Sequence, residues 1–527
     1  MSRFEKKLQQ RKKKYLRTSD RESSVLRRES LAYSISKNKR EKNLLKKRML
    51  PQPTSTIPIS INLSEWEKIP LPDPVELFKY KKIFQKGAKM EIYKHLFLIR
   101  KLVSQGTKHS CTMVFASGII EELSDYLGEF DDPYLQMESV RILGHIAELN
   151  QPSIRILYEY ELIPKYITLL STKRTEIFEH VIWTLSSMAN YKDLYRESIL
   201  DQNGLFDSIF RVLKFENPPI SLLQHFTFLL FNLSQTLDQK HIKLLKSSFE
   251  YFVQAIFSEI ADIVKCSCLG LGTITTNFKD FSKALAKQKI IKQFVSFLES
   301  DDLEFQIPAL RCIGNIVSIS ENEIGIIIDE GAIALLIQLF KRGNSLIEEE
   351  ICWILSNLCI SSKEIQLLFD QNILSLIVKR IEKCGFGTVK NIMCIITNFC
   401  INGNDDQMNE LLSYEIIKLL LKNCKNDDID LIMICLRGLK ALLIYGDSYD
   451  EGKFSVKLNF IANRIRRISG DEILLKLCYH TSRKISELAR LIYEKYLHLD
   501  NFNIEYEENE ENEENEENEE NEIKLDF

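Results

Sequence analysis

Apolar residues return at helical spacing from about residue 74 to about residue 499, with polar positions between them. Short apolar runs recur along that stretch: FTFLLFNLS at 226–234, ALRCIGNIVS at 309–318, EICWILSNLC at 350–359 and NIMCIITNFC at 391–400. Each carries an asparagine at one shared position, Asn232, Asn315, Asn357 and Asn398, and His145, Ser187, Thr273 and Lys440 fill the same slot elsewhere. Successive slots lie 41 to 45 residues apart. Turn-like stretches follow the slot by 15 to 17 residues, DQNGLF at 201–206, DEGAIALL at 329–336 and DQNILSLI at 370–377. Gly204 and Gly331 in them suit a left-handed backbone between helices. The stripe in ELARLIYEKYL at 487–497 predicts a closing helix.

A period near 42 is that of two- or three-helix repeats of the armadillo or HEAT type, which stack into one elongated solenoid. With 45% hydrophobic residues the chain can fill a continuous core, and 12 prolines and 19 glycines favour helices over sandwiches. The net charge of -4 conceals segregation. Residues 1–50 carry 18 Lys or Arg against 5 Asp or Glu, while residues 505–522 carry 12 Glu and no Lys or Arg. The first segment has too few apolar residues to fold alone and the last is low-complexity, so both are expected to be disordered interaction segments. Half of the prolines fall in 51–74, which predicts an extended linker. The expected division is arm 1–50, linker 51–74, repeats 75–500 and acidic tail 501–527.

The 12 cysteines sit at apolar helix positions with no CxxC pair, and the 8 histidines form no HExxH or Cys/His cluster. Buried thiols in a reducing compartment and no bound metal are expected. No apolar stretch reaches the length of a membrane span, and the N-terminus is too charged for a secretory signal. A phosphate loop, GxSxG and paired loop carboxylates are missing, so neither an enzyme nor a cofactor is expected.

Trp183 precedes Ser187, and Trp353 precedes Asn357, by four residues, which puts indole and slot on one helix face. One such pair is most simply core packing. Four asparagines in one register argue otherwise, because a buried uncompensated amide costs about 1–3 kcal/mol. They are expected along an open groove, where amides hold an extended peptide backbone and aromatic slots accept Lys or Arg.

These runs, together with LIYEKYL and the segment LRRESLAYSISKNKREKNLLKKRML at 26–50, resemble the importin-α family from basic arm to acidic tail. The resemblance implies an all-α, right-handed armadillo-repeat superhelical solenoid of about ten repeats. It implies a nuclear import adaptor that binds basic nuclear localisation signals and shuttles between cytoplasm and nucleus. The minor cargo site then keeps Arg311, Asn315, Trp353, Asn357 and Asn398, with Cys394 where the family pattern has Trp. The major site is degenerate: Arg141 and His145 stand for Trp and Asn, Trp183 pairs with Ser187, Phe228 pairs with Asn232, and the expected acid falls near Tyr191. Cargo affinity is therefore expected mainly in the later repeats. The arm, with Arg27, Arg28, Lys37, Lys39, Arg40, Lys46, Lys47 and Arg48, resembles the importin-β-binding segment and implies autoinhibition of the groove. A recycling exportin and nucleoporins are further partners by resemblance; no membrane and no direct nucleic acid are expected. The alternative is an armadillo scaffold outside transport, which an arm-dependent pull-down of importin-β would exclude.

Overall fold

The computed structural model describes residues 63–498, apart from 106, 150, 287–289, 319–323 and 451–458. The arm, the first half of the linker and the acidic tail lie outside the described residues. All regular elements among the described residues are helices. Within the Pro-rich segment a short helix, Leu63–Glu67, forms where an extended linker was expected. The next, Pro74–Lys86, starts where sequence chemistry dictates. Asp73 accepts the Val75 N–H, Glu76 accepts the Asp73 N–H, and Pro74 occupies a position whose N–H needs no partner.

The chain packs as two compact units divided between Asn315 and Ile316. In the early unit, long helices α1 (Lys89–Val103), α2 (Pro133–Leu149), α3 (Thr175–Ala189), α4 (Ile220–Ser234) and α5 (Ala261–Asn277) stack, each on the next. α6 (Leu303–Val317) carries Asn315. In the late unit the corresponding long helices are α7 (Glu348–Leu358), α8 (Phe386–Asn402), α9 (Ile429–Asp450) and α10 (Arg483–Tyr496), again each on the next. Each slot residue from 145 to 440 lies on one of these long helices, so the 42-residue period is the repeat of this layer. Shorter helices pack behind it, among them Leu162–Leu169 and Asp193–Leu200 against α3. Tyr166, Phe178, Phe226 and Phe252 are fully buried between the layers of the early unit, and Phe340 and Phe399 in the late unit.

Several turns between paired short helices use a left-handed residue, whereas the turn before Ile416–Asn423 does not. Gly204 (φ 75°) and Gly331 (φ 79°) hold it as the sequence indicates, and Glu161, Asn372 and Ser469 hold it at φ 52–56°. Without a Cβ, glycine adopts this conformation at no steric cost; the other three are strained by about 1 kcal/mol each. Between α4 and α5 no such turn occurs, and one longer helix, Ile242–Ala255, replaces the short pair.

Candidate functional site

The slot amides share a register but do not lie open along a groove. Asn232 and Asn398 are 0% exposed, Asn357 1% and Asn315 5%. In three of them Nδ2 donates to a backbone carbonyl one residue before the slot of the preceding helix. Asn232 reaches Ser186 O at 3.3 Å, Asn315 reaches Gly272 O at 3.1 Å, and Asn398 reaches Ser356 O at 2.9 Å. Asn315 also donates to Thr275 and Thr276 hydroxyls, both at 2.9 Å. The expectation of solvent-facing amides is thus corrected. A helix carbonyl has a second lone pair, and a side-chain amide one repeat later occupies it, clipping neighbouring long helices together. Burial then costs little because the donor is satisfied. Asn391 to Glu349 O (3.1 Å) and Asn402 to Cys359 O (2.9 Å) repeat the device within α7 and α8.

Asn357 differs. Its Nδ2 donates to Trp353 O of its own helix at 2.9 Å, and its buried Oδ1 accepts no hydrogen bond. Trp353 beside it is half-buried, and Glu349 and Glu350, both half-buried, lie one turn further toward the start of α7. Offsets of three, four, seven and eight residues place Glu349, Glu350, Trp353 and Asn357 on one helix face. The half-buried carboxylate pair and indole can meet a cationic side chain, while Asn357 Oδ1 is buried beneath them. The two carboxylates went unnoticed in the sequence, where only the position four before the slot was read. Cys394, one helix on, is fully buried, and burial pushes its thiol up to about 12, so it is a protonated apolar filler. Arg311, on α6, is also buried. Among the cysteines whose side chains are described, the ten besides Cys394 are free thiols, all buried except the half-buried Cys384.

In the early unit the degenerate positions come together as one polar and aromatic cluster. Arg100 Nε donates to Glu138 at 2.6 Å, Arg141 Nη1 to Glu138 at 3.4 Å, and Arg141 Nε to His180 Nε2 at 3.2 Å. The Trp183 indole N–H donates to Glu148, an acid that sequence reading missed. Trp183 is buried, whereas His145, Ser187 and Phe228 are half-buried. His145 meets the indole edge-on at 5.3 Å, and His225 stacks on it at 6.1 Å. Gly144 lets it approach, since a Cβ there would stand 3.3 Å from the ring. Tyr191, half-buried in the turn after α3, brings no carboxylate. Among the described residues no group of three or more His, Cys, Asp or Glu could hold a metal ion, and no helix is long and apolar enough to cross a membrane.

No protein-family model matches the chain. Curated relatives do: importin subunit alpha-3 of Arabidopsis thaliana is 28% identical over 510 residues, covering 95% of this chain and 94% of its own length. Importin subunit alpha-1b of Oryza sativa subsp. japonica is 28% identical over 399 residues, 75% of this chain and 74% of its own. The chain is similar to importin-α subunits over most of its length. Solved structures agree on the fold, which is that of armadillo repeats. An engineered protein from a structural-genomics programme superposes with a TM-score of 0.64 at 19% identity, over 80% of this chain and 98% of its own. A chain from work on a phosphorylation switch between cadherin and β-catenin gives a TM-score of 0.65 at 12% identity, over 79% of this chain and 84% of its own.

Proposed function

We propose that the chain is a nuclear import adaptor that holds basic, extended peptide on the α7 face and hands it to an importin-β-like carrier through residues 1–50. The observation that carries the reading is the face itself. Glu349 and Glu350 supply negative charge, Trp353 supplies an indole for an aliphatic stem and cationic head, and Asn357 Oδ1 is a buried acceptor with nothing to accept from. A Lys or Arg on an indole is worth roughly 0.5–2 kcal/mol. Asn398 contributes by fixing α8 to α7, on which cargo rests, and Cys394 by filling the core of α8. His145, Trp183, Ser187, Phe228 and Asn232 form the weaker early site. The division into arm 1–50, linker 51–74, repeats 75–500 and tail 501–527 follows from this role.

The dense Lys and Arg of the arm, Arg27, Arg28, Lys37, Lys39, Arg40, Lys46, Lys47 and Arg48, suit an acidic carrier surface and also mimic cargo. An effective concentration on the order of 1 mM against an affinity near ~1 μM weakens cargo about 10³-fold, roughly 4 kcal/mol. Carrier binding removes this competitor and so couples the two loading steps. The adaptor then shuttles between cytoplasm and nucleus, with a recycling exportin and nucleoporins as further partners. The test is binding of a labelled Lys/Arg-rich peptide with and without residues 1–50. Affinity should rise on removal of the arm and fall with Trp353→Ala plus Asn357→Ala. If binding survives that pair and is abolished by Trp183→Ala plus Asn232→Ala, cargo resides in the early unit instead.

A further inference from the structure

The last repeat among the described residues, built from Phe460–Arg467, Gly470–Leu477 and α10, keeps apolar side chains on its outside. Ile461, Ile465, Leu474, Ile485, Ala489 and Ile492 are buried within it. Leu475 and Tyr479 are instead 40% and 77% exposed, and a spacing of four residues puts them on one side of the helix end. Arg490 of α10 donates from Nε to the Cys478 carbonyl at 3.1 Å, which brings its guanidinium beside that face. Ile468 in the preceding turn and Leu491 on α10 are exposed as well. In a repeat array each such face is covered by the repeat that follows, so the final one needs a polar outer surface or a cap.

This repeat is also basic: residues 459–498 hold 8 Lys or Arg against 4 Asp or Glu. Arg467, Lys476 and Lys484 are exposed and make no ion pair among the described residues. Glu487 already pairs with Arg483 at 2.6 Å, which leaves Asp471, Glu472 and Glu494 as the local counter-charge. The segment that follows has the complementary character. Residues 499–527 contain 12 Glu and 2 Asp against 1 Lys. At its start, NFNIEY at 501–506 alternates polar and apolar residues, so an extended backbone puts Phe502, Ile504 and Tyr506 on one face. The connection is short enough to bring that face back. Arg490 lies about 9 Å before Tyr496 along α10, and residues 497–501 span up to roughly 17 Å when extended.

We propose that residues 501–506 dock on the Leu475–Tyr479 face of their own chain's last repeat, and that the Glu run beyond them pairs with Arg467, Lys476 and Lys484. Phe502, Ile504 and Tyr506 cover the exposed apolar side chains, and the carboxylates meet cations that the repeat itself leaves without an ion pair. The tail is then the cap of the array, closing an end on which a second copy of the chain could otherwise stack. Exposed ion pairs are individually weak, so the contact depends on several acting together and on low ionic strength. It stands independently of where cargo binds.

The test uses the full chain with Phe502 replaced by photoreactive benzoyl-phenylalanine. Irradiated at low protein concentration, it should cross-link to peptides from 467–491 of the same chain, giving a product of monomer mass. Arg467→Glu, Lys476→Glu and Lys484→Glu together should lower that yield about tenfold, and so should about 1 M salt. All three side chains are exposed, so the repeat keeps its fold. Ile504→Ser with Tyr506→Ser, which alters no residue of the repeats, should lower the yield as well. Cross-links elsewhere in the chain, or none to 467–491, overturn the proposal. Cross-linked dimers in place of the intrachain product overturn it in favour of docking by a second copy. A yield indifferent to both charge reversal and salt removes the ion pairs and the proposal with them. None of these results bears on the α7 peptide face.

Discussion

Replacing Asn398 by alanine separates a structural amide from a binding one. Its carboxamide is 0% exposed, and Nδ2 lies 2.9 Å from Ser356 O on the preceding long helix. Truncation takes the Asn398 donor from that carbonyl and opens a small void. An unsatisfied buried group costs about 1–3 kcal/mol, so the α7–α8 contact should weaken by roughly 2 kcal/mol. Repeat arrays do not always unfold in one step, so a single melting temperature is a poor readout. Amide hydrogen exchange resolves the contact directly: amides of α7 and α8 that open locally should exchange about 30-fold faster. Asn357→Ala provides the contrast, because its Nδ2 bonds only within α7. It should alter exchange much less while weakening peptide binding more. Unchanged exchange in Asn398→Ala would refute the clip.

Trp353→Ala should weaken a Lys/Arg-rich peptide about tenfold, near 1.4 kcal/mol, and Glu349→Gln with Glu350→Gln should do the same with a smaller salt dependence, both read by fluorescence anisotropy. Burial alone would raise the pKa of Asp132, but bonds from Lys89 and Tyr93 and the Leu135 N–H outweigh it, holding the carboxyl below its ordinary 3.8. A depressed folded-state pKa means stability present above the unfolded value and lost as pH falls through the lowered one. The α1–α2 junction should therefore loosen below about pH 4, by exchange or circular dichroism, and Asp132→Asn should remove that dependence. Glu161→Gly and Asn372→Gly relieve left-handed strain and should each stabilise the fold by about 0.5–1 kcal/mol, measured by urea denaturation.

The repeat phase was legible because it rests on periodicity, and Gly204 and Gly331 because a left-handed turn has a residue preference. Glu161 and Ser469 at the same turn were not, since tertiary packing there overrides local preference. Spacing placed Asn232, Asn315, Asn357 and Asn398 in one register but could not say what each amide touches. The choice between a peptide and the carbonyl of a neighbouring helix depends on the angle and distance between stacked helices. Reading the position seven residues before the slot alongside that four before would have brought out Glu138, His180, His225, Glu350 and Asn391. The pairing of Trp183 with Glu148 stays hidden in sequence, because it joins two repeats whose separation only packing defines.

The most direct measurement is a hydrogen-exchange footprint of a Lys/Arg-rich peptide bound to the chain lacking residues 1–50. Protection should concentrate on α7, over 349–357, and extend into α8, with at most weak protection of α2 and α3. Protection confined to α2 and α3, or its absence throughout, would contradict the assignment of cargo to the late unit.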